Sequence, residues 1–110
     1  MERENLDMNS ITEERRKAFA TSIATITSDQ VKAIGEEIFP YHDDPWRERF
    51  FEFLKENAGA TFHHATTNEG IQVLYCHARN KGIWFMPHTG MGPMQPKGLG
   101  ILKEIVEKGH

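Results

Sequence analysis

The chain has 110 residues, 38% of them hydrophobic, with seven phenylalanines and two tryptophans, which suits one domain with a modest core. Its net charge of −3 is divided unevenly: residues 1–58 carry 8 Lys/Arg against 13 Asp/Glu, and residues 59–110 carry 5 against 3. Five scattered cations make no basic stripe to neutralise phosphates, which argues against a nucleic-acid partner.

The one cysteine, Cys76, excludes an internal disulfide and fits a reducing cytoplasm. The opening MERENLDMNS is polar, with no apolar core behind basic residues, so no signal peptide is expected. No run approaches the roughly 18 apolar residues of a membrane span. The expectation is a soluble, cytoplasmic single domain over 1–110. Residues 1–9 are expected to be disordered, 10–58 helical, and 59–110 a sheet with a C-terminal helix.

In chain order, SITEERRKAFATSIATIT opens with Ser10 and has Glu13 three positions on, the spacing of a reciprocal capping box. Phe19, Ile23 and Ile26 follow at helical spacing and predict a helix over about 11–26. TSDQVKAIGEEIFP predicts a second, with Val31, Ile34 and Ile38 on one side and Pro40 as its stop. The third has Asp44 as cap and Pro45 at the first position, where a missing N–H costs nothing. Trp46, Phe50, Phe53 and Leu54 line its inner side, and Gly59 suits a left-handed position after its end.

Beyond Gly59 the period changes. TNEG and RNKG share an Asn-x-Gly pattern that fits a type I turn followed by a left-handed glycine. Two such three-residue turns predict an antiparallel meander of three strands, about 60–67, 71–79 and 83–88. Between Gly59 and Pro96 the formal charges are Glu69, Arg79 and Lys81, all in or beside the turns. A sheet free of charge on both faces is covered on both. Leu99, Leu102, Ile105 and Val106 then predict an amphipathic helix ending near Gly109. The fold class is therefore α+β: three N-terminal helices, a three-stranded meander and a C-terminal helix. A second copy of the chain, as a homodimer, is expected to cover part of the sheet.

Register gathers the histidines. With Thr67 opposite Ile71 and Arg79 opposite Ile83, one face holds Thr61, His63, Ala65, Val73, Tyr75, His77 and Phe85. His63 then faces Tyr75, with His77 about 7 Å away on the diagonal. A neutral imidazole beside a phenol can serve as general acid or base. The competing reading is a half-buried surface filled by strand aromatics. The second face holds Phe62, His64, Leu74, Cys76, Trp84, Met86 and His88. Cys76 with His64 and His88 has the ligand types of a zinc site or a Cys–His pair. The two histidines, however, stand roughly 10 Å apart with Leu74 between them. In YHDDPW, His42, Asp43 and Asp44 are adjacent in sequence, and adjacent side chains rarely converge on one ion. No metal and no cofactor are expected.

The loop GMGPMQPKG matches neither a Walker A nor a dinucleotide fingerprint, and its two prolines remove backbone donors from any phosphate cradle. Lys97, near the start of the last helix, is the one candidate for an anion. Met86, Met91 and Met94 suit a packed connector that lines an apolar pocket or interface.

The segment Pro45–Gly109 reads α-β-β-β-α, and MPHTGMGPMQPKGLGILKEIVEKG is similar to the end of the HicA-like toxins. The likeness rests on Pro87-His88, Gly98 and Ile101-Leu102-Lys103. It implies a small RNA-cleaving protein with a double-stranded-RNA-binding-like fold. The family's Gly-Ser-His motif is absent, with ATFHH the nearest stretch.

The sequence thus favours a non-enzymatic binding domain for a small apolar ligand or a protein partner, self-associating through an apolar sheet face or the Met-rich loop. Its expected ligand-contacting residues are His63, Tyr75, His77, Trp84, His88 and Met91. The alternative is a small hydrolase or HicA-like RNase using His63, Tyr75, His77 or His88.

Overall fold

The computed structural model describes residues 20–86 and 89–108. The elements run β1 (Ala20–Ile26), α1 (Ser28–Ile38), α2 (Pro45–Glu56), β2 (Phe62–Thr67) and β3 (Gln72–Cys76). A 3-10 turn (His77–Arg79), β4 (Lys81–Met86), β5 (Gly90–Pro93) and α3 (Pro96–Lys108) follow. Among the described residues the class is α+β, with three helices and one antiparallel sheet in the order β1-β2-β3-β4-β5.

The sheet has five strands where three were expected. Residues 20–26, expected as the end of a first helix, instead pair with β2, Ile26 opposite Phe62 and Thr25 opposite His63. Thr21, Ile23, Thr25 and Ile26 are β-branched, and their stiff χ1 torsions favour an extended chain over the helix that the isoleucine spacing also permits. Thr27 marks the switch. Its N–H donates to Gln30 Oε1 (2.8 Å) and its Oγ1 accepts from Gln30 N (3.3 Å), a capping box that starts α1 at Ser28. Residues 1–9, the Ser10/Glu13 box and the expected helix up to Phe19 lie outside the described residues, as do His88 and the end near Gly109.

The second added strand is β5, inside the segment expected as a connector. Gly90, Gly92 and Pro93 carry little strand propensity, but β4 supplies the ladder: Met91 pairs with Phe85 and Gly92 with Trp84. The α-β-β-β-α order expected over Pro45–Gly109 is therefore broken by this strand before α3.

The first hairpin turn forms as expected. Thr67 N donates to Ile71 O (2.7 Å), Gly70 has φ 87°, and His63 lies opposite Tyr75. The second does not. β3 stops at Cys76, residues 77–79 make a 3-10 turn, and Asn80 takes the left-handed conformation (φ 50°) assigned to Gly82. Asn is the residue besides Gly that adopts this conformation most readily. Arg79 holds the turn by donating to Glu56 O (3.2 Å) at the end of α2, where a cation complements the helix dipole. Leu74, and not Arg79, consequently faces Ile83. The offset is odd, so β4 exchanges faces: Phe85 joins Phe62, His64, Leu74 and Cys76, while Trp84 and Met86 join His63, Val73 and Tyr75.

α1 and α2 cover the first of these faces. Val31, Phe39, Phe50, Phe62, Leu74 and Phe85 are fully buried there, with Phe50 edge-on to Phe85 at 5.2 Å. Asp44 caps α2 by accepting from Trp46 N (2.8 Å), and Phe50 and Phe53 face inward as expected. α3 covers the opposite face, Leu102 packing with Ala65, Val73 and Tyr75, flanked by Leu99 and Val106. Among the described residues no helix is long and apolar enough to cross a membrane.

Candidate functional site

The β2–β3 register and the 3-10 turn bring three predicted residues together under the C-terminal half of α3. The His63 and Tyr75 rings are 6.3 Å apart, and Thr25 Oγ1 is 3.3 Å from His63 Nδ1. Tyr75 is fully buried, and its hydroxyl donates to Asn80 Oδ1 (3.2 Å). His77 lies beyond the strand, yet the turn folds its ring back so that Nδ1 is 3.1 Å from the Tyr75 oxygen. With that hydroxyl proton committed to Asn80, Nδ1–H is the donor to the phenol oxygen. His77 Nε2 stands 3.8 Å from Glu107 Oε2 on α3.

Burial pushes the Tyr75 phenol above its ordinary value of 10.0, and the negative charges of Glu107 and Cys76 act in the same direction. The phenol is therefore a neutral donor, closed to solvent. This group can lock α3 to the β3–β4 turn; it offers a substrate no open phenol.

On the other face Cys76 is buried. His64 donates from Nε2 to Gln72 Oε1 (2.9 Å), an oxygen that can only accept, and its ring lies flat against Phe85. Among the described residues no three His, Cys, Asp or Glu side chains gather to hold a metal. Asp44, in the His42-Asp43-Asp44 run, is engaged as the α2 cap.

Comparison of the chain with protein-family models, with curated proteins and with solved structures returns no match.

The exchanged face of β4 makes the second feature. A groove of about 460 Å3 opens between the sheet and the start of α3, walled by Ile71, Val73, Trp84, Met86 and Met94. Thr67, Gln95 and Gly98 complete it, and Glu69 is its one formally charged neighbour. Trp84 is thus the predicted ligand residue found in a groove. Met91, predicted beside it, points the other way into the core next to Phe85. Lys97 is exposed on the first turn of α3 and does not line the groove. Met86 and Met94, two of the three methionines expected along an apolar pocket or interface, stand in this wall, whereas Ile71 and Val73 were missed because the expected register set Trp84 and Met86 on the other face.

Proposed function

We propose that this chain is a non-enzymatic binding domain that receives an apolar group in the groove between the sheet and the start of α3. The observation that carries the reading is the groove itself: five large apolar side chains line about 460 Å3 with a single carboxylate at the rim. Two of the five are methionines, whose flexible thioethers adapt to irregular apolar shapes. The occupant is either a small apolar ligand or an apolar side chain presented by a protein. A second copy of the chain is the partner this reading takes first, because Trp84 and Met86 are only half-buried in the groove and association would cover the rest of their apolar surface.

A histidine-dependent hydrolase has less support. Tyr75 is buried and engaged, and His63 is only 8% exposed.

The test is mass by light scattering together with uptake of an apolar fluorescent probe, for the wild type, Trp84→Ala and Met86→Glu. Probe uptake or a dimer mass in the wild type, lost in both variants, supports the reading. A monomer that takes up no probe overturns it.

A further inference from the structure

A second concavity lies on the opposite face of the sheet, beyond the C-terminal end of α1. It measures about 410 Å3 and is lined by Ile34, Glu37, Ile38, Pro40, Tyr41, His64 and Gln72. We propose that it binds a small organic ammonium carrying an aromatic body, of the arylalkylamine class.

The charge argument comes first. A helix C-terminus carries partial negative charge and favours cations. α1 nevertheless ends with Glu36 and Glu37 and has no basic residue in its last turn. Arg47 compensates one side only: it pairs with Glu36 at 3.1 Å and donates to Phe39 O. Glu37 has no ion-pair partner among the described residues, and no Lys or Arg lines its concavity. The carboxylate and the helix end therefore act together on whatever sits there, and both select a cation.

The walls select the rest of the ligand. Ile34, Ile38 and Pro40 are apolar. Tyr41, at 64% exposure, is the one large hydrophobic side chain left exposed among the described residues. An exposed ring beside an uncompensated carboxylate suits a cation that can also lie against an aromatic face. His64 and Gln72 add polar groups, joined to each other at 2.9 Å. Their mutual bond leaves the Gln72 amide hydrogens and the lone pair of a neutral His64 Nδ1 without a partner among the described residues. The volume lies within the range of small-molecule sites.

The experiment is a calorimetric titration with tryptamine and with indole-3-propionate, its charge-reversed counterpart, at low salt, with amide NMR shifts mapping the contact. Tryptamine is expected to bind and indole-3-propionate to fail, with shifts at Tyr41, His64 and Gln72. Glu37→Gln is expected to weaken tryptamine about tenfold, as loss of a charge-assisted contact does. Tyr41→Ala is expected to weaken it by roughly three- to tenfold. Both residues are exposed, so the variants should fold, which their thermal melts check. Equal binding of the two indoles, or affinity unchanged by Glu37→Gln, overturns the proposal. So does a contact that disappears with Trp84→Ala instead, which would assign the ligand to the groove on the other face. Absence of tryptamine binding at about 10 mM, beyond the range of a specific site, overturns it as well.

Discussion

The indole of Trp84 lies directly on Gly92, its cross-strand partner: a Cβ at Gly92 would stand 2.9 Å from the indole Nε1 and 3.0 Å from two ring carbons. This contact explains why a strand accepts glycine there, the aromatic covering the gap that the missing side chain leaves. Gly92→Ala should therefore displace the indole, costing about 1–3 kcal/mol by overpacking. Urea denaturation measures the loss, and Trp emission should shift as the ring moves toward water. An unchanged midpoint and spectrum would show that the ring does not rest on the backbone.

Gly35 and Gly100 give a matched pair with opposite signs. Both are helical glycines, and alanine gains about 1 kcal/mol of helix propensity at either. At Gly35 a Cβ would meet the Phe50 and Phe51 rings at 2.7 Å. Phe50 cannot retreat, because it is wedged against Phe39 at 5.5 Å and Phe85 at 5.2 Å. The clash should outweigh the propensity gain and leave Gly35→Ala destabilised by about 1–2 kcal/mol. At Gly100 nothing lies within 4 Å, so Gly100→Ala should raise stability by up to about 1 kcal/mol. Thermal melts of the two variants decide both signs.

What the sequence revealed and concealed follows from the same contacts. α2 was legible because its cap, its Pro45 and its apolar stripe all agree. The first hairpin was legible because Gly70 takes the left-handed position that the Asn-x-Gly pattern assigns to it (φ 87°). The second was not, since Asn80 and Gly82 compete for that role and the choice reverses β4. β1 was hidden by an isoleucine spacing that serves a helix as well as a strand, although TSDQ carried the capping box that ends it. β5 was hidden because Gly-Met-Gly-Pro has no strand signal of its own; its reason is an indole on the neighbouring strand. His63 and Tyr75 were paired correctly because only the first turn separates them.

Leu102 tests how α3 is held. Its side chain is 1% exposed and packs with Ala65, Val73 and Tyr75. Leu102→Ala should cost about 2–5 kcal/mol through lost burial and a cavity. Hydrogen exchange should show α3 amides opening before those of β2 and β3. Simultaneous opening would mean the helix is not a separable layer.

The Tyr75 phenol gives the sheet a pH dependence with a definite sign. Its folded-state pKa is raised above 10.0 by burial first and by the charges of Glu107 and Cys76 second, so the folded state holds the proton more tightly than the unfolded chain. Stability from this source is fully present below the unfolded value. It declines once pH passes 10.0 and is lost as pH rises through the raised folded value. Tyr75→Phe removes both the hydrogen bonds and the titration. At neutral pH it should cost about 1 kcal/mol, leaving Asn80 Oδ1 and His77 Nδ1 without their phenol partner. Above pH 10.0 the gap between wild type and Tyr75→Phe should narrow, and the Tyr75 phenolate absorbance should appear only as the protein unfolds. A gap that stays constant into the alkaline range would mean that the hydroxyl reaches water and that α3 is not locked through it.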